Sequence, residues 1–327
     1  MARSNRPVVA IDLGGTKYIA AVIGTGGLVL SHVYCPTLSH EGPDKIISRL
    51  VMSVHSAARE AGVKLRDMGG VGVAAAGIID INRGLITEAP NLPGWRNIPF
   101  RDLLKDEFKI PVFMLNDASA SALGEHRLGA GRGLDNLIYM TVSTGIGGGM
   151  IINGELYNGA DGTAAEVGHM IIQVDGPLCH CGHYGCLEAM ASGTAIARMA
   201  EERLRSGWKS ILSPMVKKGK GNITAEDVAA AAKKGDVLAS QVIDDAAAYL
   251  GVGMANLVNL FNPQMIVVGG GVSALGERLL RPARKSMKQH AFKLPAGTVR
   301  VVKSALGADS GLIGAALYAR QQAGGKP

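Results

Sequence analysis

Aromatic side chains are scarce in this chain, only 4% of its 327 residues. That scarcity argues against a surface that stacks nucleic-acid bases, although the net charge is +7. The basic residues are scattered, and anionic small molecules such as nucleoside phosphates account for the charge as well. No apolar run approaches the ~20 residues that a membrane span needs. No signal-peptide pattern is expected either, because the opening MARSNRP leads straight into a strand-like run. Cysteines number four, three of them clustered, which points to a reducing cytoplasm rather than a disulfide framework. Low-complexity linkers are also missing. What is abundant is glycine, 45 residues, in a chain that is 47% hydrophobic and 19% charged. Such a chain is globular and long enough for two domains, with small residues and tight loops carrying much of the architecture.

The stretch from Glu166 to Glu188, EVGHMIIQVDGPLCHCGHYGCLE, holds Cys179, Cys181 and Cys186, with His169 upstream. Three thiolates and an imidazole match a closed tetrahedral zinc site, and this spacing favours zinc over three buried thiols. Gly182 and Gly185 allow the tight turns that bring the sulfurs together. Glu166 and Glu188 bracket the cluster, so a metal that orders the loop also places two acids. Cys35 stands apart and is given no role.

Val8 to Ile11 reads as a buried strand, followed by Asp12 and the turn Leu13-Gly14-Gly15-Thr16-Lys17, then by strands Tyr18 to Ile23 and Leu28 to Leu30. The backbone N–H groups of Gly14 and Gly15 can point at phosphate, with Thr16 and Lys17 adding a hydroxyl and a charge. Asp12 could hold a magnesium ion through water. The pattern recurs at Leu137 to Val142, Ser143 to Gly149 with Thr144 and Gly145, Met150 to Ile152, the Asn153-Gly154 turn and Glu155 to Tyr157. Two copies of one unit suggest two related domains, each offering a phosphate-holding hairpin to one nucleotide across a cleft. Between them, Pro43 to Ala61 has a helical period and Gly70 to Ala75 is a strand that Gly77-Ile78-Ile79-Asp80 leaves. Pro90 to Trp95 is a rigid loop that is either a connector or a specificity loop. Ile110 to Leu115 is a strand ending on Asn116-Asp117, before a helix from Ala118 to Leu128. Asp117 either caps that helix or stands where α/β sheets bind ligands.

Later, Ala195 to Ser206 is amphipathic, and Lys217, Lys218 and Lys220 read as a solvated loop. Thr224-Ala225-Glu226-Asp227 resembles a capping box, and Asp236 to Phe261 a long, largely buried helix. Met265 to Val268 runs into Gly269-Gly270-Gly271, a close-approach loop suited to adenine or ribose, with a helix from Leu275 on. Val299 to Val302 is a last strand and Ser310 to Gln321 a closing helix.

Together these motifs resemble the ROK family of sugar kinases, bacterial glucokinases above all. The Asp12-to-Lys17 hairpin, the Pro90-to-Trp95 loop, Asn116-Asp117, the Thr144-to-Gly149 turn, the Glu166-Val167-Gly168-His169 run, the cysteine knuckle and Gly269 to Gly271 carry the resemblance. It covers about residues 8 to 315. It implies an α/β, actin-like ATPase (ribonuclease H-like) fold, two α/β domains around a cleft. Residues 1–118 with about 305–327 would form the small domain and 119–304 the large one with the knuckle. It further implies ATP-dependent phosphorylation of a hexose, glucose first, in the cytoplasm, with Asp117 as general base. Gly77, Asn91, Asn116, Glu166, His169 and Glu188 would bind sugar. Asp12, Gly14, Gly15, Thr16, Lys17, Thr144, Gly145 and Gly269 to Gly271 would bind ATP and Mg²⁺. His169, Cys179, Cys181 and Cys186 would hold structural Zn²⁺, and His169 would also face the sugar. A homodimer or homotetramer is expected, with no nucleic-acid or membrane partner; repressors of this family carry an N-terminal DNA-binding domain, for which the seven residues before the first strand leave no room. Ser143, Ser119 and Ala76-Gly77-Ile78 depart from the family's usual Gly, Asn and Pro-Gly-Pro, the last leaving the identity of the hexose open among glucose, N-acetylmannosamine, N-acetylglucosamine, mannose, allose and fructose.

Overall fold

The computed structural model describes residues 6–217 and 223–324, so Lys218 and Lys220 lie outside the described residues. In chain order the first part holds β1 (Val8–Leu13), β2 (Lys17–Ile23), β3 (Val29–Pro36), α1 (Pro43–Glu60), β4 (Val71–Ala75), β5 (Ile78–Asp80), β6 (Leu85–Glu88), β7 (Arg96–Ile98), α2 (Phe100–Phe108), β8 (Val112–Asn116) and α3 (Asp117–Leu128). There follow β9 (Leu137–Val142), β10 (Ile146–Ile152), β11 (Glu155–Tyr157), α4 (Leu187–Ala191), α5 (Gly193–Arg205), α6 (Ser213–Lys217), α7 (Ala225–Lys233) and α8 (Val237–Phe261). The chain closes with β12 (Met265–Gly269), α9 (Glu277–His290), α10 (Lys293–Thr298), β13 (Arg300–Lys303) and α11 (Ser310–Gln322). Among the described residues no helix is long and apolar enough to cross a membrane.

Contacts divide the chain into two compact units, one of residues up to Asp135 with Gly149–Ala165 and the residues from Ala305 on, the other of Asn136–Gly148 with Glu166–Ser304. The first unit is built on a sheet of order β3-β2-β1-β4-β8, whose β1–β2–β3 part is antiparallel and whose β1–β4–β8 part is parallel. Alternation along β1 sorts its faces. Val9, Ile11 and Leu13 share a core with Ile46, Leu50 and Val54 of α1 and Phe100 and Leu104 of α2, whereas Val8 and Ala10 pack with Leu312 and Ala316 of α11. Each of the Val, Ile, Leu and Phe side chains among them, taken wholly out of water, contributes roughly 1.5–3 kcal/mol. On the α11 face the packing is by small residues: Gly124 and Gly314 let the backbones of α3 and α11 meet, and Gly72 admits α11 onto β4.

A second sheet has the order β11-β10-β9-β12-β13, the same order as the first when strands are counted within each sheet, and the division between units falls inside β10. The repeat read from the two glycine turns is therefore a repeat of sheet topology. In the second unit β12 lies parallel to both β9 and β13. The helix expected from Asp236 is α8, capped by the Asp236 side chain, which accepts from the Ala239 N–H at 2.9 Å.

Several local expectations change. The third strand begins at Val29 and runs to Pro36, and Lys217 ends the short helix α6 rather than lying in a loop. The last strand is Arg300–Lys303. After the three glycines comes a 3-10 turn, Gly271–Leu275, and α9 begins only at Glu277. Ile78 to Ile98 forms a separate three-stranded sheet, β5-β6-β7, and the Pro90-to-Trp95 loop joins β6 to β7. Trp95 is buried there, edge-on to Phe100 with ring centroids 5.3 Å apart, so it anchors the loop and is not offered to a ligand.

Candidate active site

Asp12 lies one residue before the end of β1, where the parallel partner β4 also ends. The hairpin that follows is closed by the Gly14 N–H donating to the Lys17 carbonyl at 3.0 Å. It is held by Thr37, the residue after β3, fully buried, whose hydroxyl donates to the Gly14 carbonyl at 2.7 Å and whose N–H donates to that of Thr16 at 2.9 Å. Sequence reasoning missed Thr37, because the contact spans more than twenty residues and has no local signal. Thr16 and Lys17 are exposed, and the Lys17 ammonium sits 5.6 Å from the centroid of the Tyr34 ring. Gly15 proves to be glycine for a second reason: a Cβ there would come within 2.6 Å of both Cβ and the carbonyl oxygen of Asn91. The hairpin thus abuts the exposed tip of the β6–β7 loop, and Asn91 stands beside it.

At the end of β8 the helix cap falls to Asn116 and not to Asp117. Its side-chain oxygen accepts from the N–H groups of Ala118 at 2.9 Å and Ser119 at 3.3 Å, and its amide donates to the Gly77 carbonyl at 3.1 Å. Gly77 has φ +106°, and a side chain there would collide with the Glu88 carbonyl. Asn116 is therefore the N-cap of α3 and pins the loop after β4, while Asp117 is the first residue of the helix. One Asp117 oxygen accepts from the Ala118 N–H at 2.8 Å, but burial dominates and raises its pKa. Burial, and then the charge of Asp117, raise Asp12 to about 7 against the pull of Lys17; Asp309 adds to the rise. A carboxyl so raised is short of positive charge and fits a cation such as Mg²⁺. Asp309, just before α11, was not read from the sequence; as the last polar residue before the closing helix it was the available signal.

In the second unit the Ser143-to-Gly145 turn is closed by the Ser143 N–H donating to the Gly145 carbonyl at 2.8 Å. The α5 segment grips it: Gly193 N–H donates to the Ser143 carbonyl at 2.7 Å and the Thr194 hydroxyl to that of Thr144 at 2.8 Å. Glu188, in the first turn of α4, places an oxygen 2.8 Å from the Ile146 N–H, in space left by the missing side chain of Gly145. Gly269 and Gly270 stand against the end of β9, where added side chains would strike Tyr139 and the Val142 carbonyl; Gly270 also has φ +82°. Their backbone space is taken up by packing. Gly271 is open apart from the Ser143 hydroxyl at 3.8 Å from a built Cβ.

Glu166 and His169 are exposed and joined by a 3-10 turn, with the His169 N–H donating to the Glu166 carbonyl at 3.0 Å. His169 Nδ1 lies 3.8 Å from Cys179 Sγ, and Cys181 Sγ 3.6 Å from Cys186 Sγ. The four donor atoms all fall within 4.8 Å of one another. Zinc–sulfur bonds of about 2.3 Å give tetrahedral edges of about 3.8 Å, so these donors fit a tetrahedral metal ion. Burial and the neighbouring Cys181 and Cys179 push the Cys186 thiol up to about 12. Cys181 is held down to about 6, since hydrogen bonds from the His183 backbone and ring and from its neighbouring thiols outweigh its burial.

Asp12, Gly14, Gly15, Thr16, Lys17, Gly77, Asn91, Asn116 and Asp117 thus belong to the first unit. Thr144, Gly145, Glu166, His169, Glu188, the cysteines and Gly269 to Gly271 belong to the second.

The ROK family model matches residues 8–322. The glucokinase of Thermotoga maritima is 37% identical over 97% of this chain and 98% of its own. The glucokinase of Halalkalibacterium halodurans is 38% identical over 98% and 96%. Among solved structures, the ROK family glucokinase of Streptomyces griseus in complex with glucose and AMPPNP superposes with a TM-score of 0.83, at 37% identity over 96% of this chain and 99% of that one. The actin-like ATPase fold of two α/β domains implied by the sequence is the fold found. By its motifs, its repeated sheet order and these likenesses over nearly its whole length, the chain belongs to the ROK family.

Proposed function

We propose that this protein is a hexose kinase that transfers the γ-phosphoryl group of ATP to the 6-hydroxyl of glucose. The observation that carries the reading is Asp117, a partly buried carboxylate at a strand end, relieved of capping by Asn116 and raised in pKa by burial. As the sugar oxygen attacks phosphorus, Asp117 accepts its proton and ADP leaves; a carboxylate whose pKa is raised is the better base for that proton. The transfer otherwise depends on positioning and on charge. Thr16 and Lys17 on one glycine hairpin and Thr144 and Gly145 on the other would meet the phosphates, and Gly271 the nucleoside. Gly77, Asn91, Asn116, Glu166, His169 and Glu188 would orient the sugar hydroxyls, Asn116 with the one amide hydrogen that Gly77 does not take. Asp12 would hold Mg²⁺, which neutralises phosphate charge when bound. His169, Cys179, Cys181 and Cys186 would hold Zn²⁺, which orders the knuckle and fixes the imidazole tautomer. We take the working form to be a cytoplasmic homodimer or homotetramer.

The test is an ADP-release assay with Mg²⁺-ATP over a panel of hexoses. Preferential turnover of glucose is expected. Preference for an N-acetylated hexose would move the pocket assignment and keep the base, and absence of turnover on every sugar would overturn the kinase reading. Ala76 and Ile78, beside Gly77, are the positions that favour another hexose as the second reading.

A further inference from the structure

We propose that Glu188 is a positioning residue for the second glycine hairpin, tying the cysteine knuckle to the loop that would hold nucleotide phosphate. The inference rests on the kinase reading and adds to the sugar-binding role given to Glu188 there. Its two oxygens face different neighbours. Oε2 accepts from the Ile146 N–H at 2.8 Å, and Oε1 lies 3.7 Å from the Cys179 thiol. A methyl group at Gly145 would collide with Oε2, so the hairpin is shaped to admit the carboxylate. The same short stretch of chain grips the hairpin again, through the Thr194 hydroxyl on the Thr144 carbonyl at 2.8 Å. Residues of α4 and α5 thus both hold the turn, and α4 begins directly after Cys186. A carboxylate on a backbone N–H is among the stronger hydrogen bonds, and it fixes the N–H that follows Gly145.

The experiment measures binding of a non-hydrolysable ATP analogue with Mg²⁺, without sugar, beside glucose binding and amide exchange at Ile146. In Glu188→Ala we expect about tenfold weaker analogue binding and a comparable loss of Ile146 protection. Glu188→Gln, which keeps an acceptor, should recover most of both. Glu188→Ala that loses glucose but keeps analogue affinity and Ile146 protection would overturn the proposal, leaving the carboxylate to the sugar alone. If Glu188→Ala does not fold, Gly145→Ala takes its place, since its methyl displaces Oε2; analogue binding at the native affinity would then overturn the proposal. A native protein that binds no analogue would sink the kinase reading instead, and exchange at Ile146 would still decide the role of Glu188.

Discussion

Asp12 and Asp117 are both raised by burial, and the charge of Asp117 raises Asp12 further. Asp117→Ala should lower turnover by about a hundred- to ten-thousand-fold, the usual worth of a general base, while glucose binding by calorimetry stays close to native. Turnover near the native rate would remove Asp117 from that role. For Asp12, burial and then Asp117 raise the carboxyl from 3.8 to about 7. Its folded value lies above its unfolded one, so its stabilising contribution is complete below about pH 4 and is lost as pH rises through about 7. Asp12→Asn should therefore melt above the native protein at pH 8 without Mg²⁺ and close to it at pH 4. A variant that melts lower at pH 8 would show that the buried charge is better compensated than its surroundings indicate. Stability gained and activity lost at one site is the expected trade.

At the scale of elements, two caps make a matched pair. Thr224 and Asp227 form the full capping box of α7, each side chain bonding the other's backbone N–H. Asn116 caps α3 and also holds the Gly77 carbonyl. Thr224→Ala should cost about 1 kcal/mol in urea unfolding and leave kcat/KM for the hexose unchanged. Asn116→Ala should cost at least as much and reduce kcat/KM as well, because it releases the loop beside Asp117. Equal catalytic effects of the two variants would refute the special placement of Asn116. The capping box was legible because its four residues are contiguous. The three-residue strands β5 and β7 were not, since so short a run shows no alternation, and the 3-10 turn after Gly270 differs from an α-helical start by one hydrogen-bond step. The Pro90-to-Trp95 loop was open in sequence between connector and specificity loop, and its Trp95 is claimed by Phe100 and the core under the small sheet.

At the scale of the molecule, two sheets of one strand order each carry a glycine hairpin, and one of the two units also carries the cysteine knuckle. Elemental analysis should find about one zinc per chain. Removal by a strong chelator should lower the Tm and weaken hexose binding, through His169 and the acids that flank the knuckle. A metal-free protein with native Tm and turnover would discard the structural zinc. The sequence by itself determined the repeat, the metal-donor set and the acid after β8, because each is written in neighbouring residues or in a period of two or of about 3.6. Only the tertiary structure decided which duty each residue has. Asn91 packs on Gly15, Glu188 enters the space beside Gly145, Thr37 holds the first hairpin, and Asn116 takes the cap and leaves Asp117 free of it. Most of these partners lie tens of residues apart. Such contacts follow from how the sheets and helices pack, and no local pattern records them.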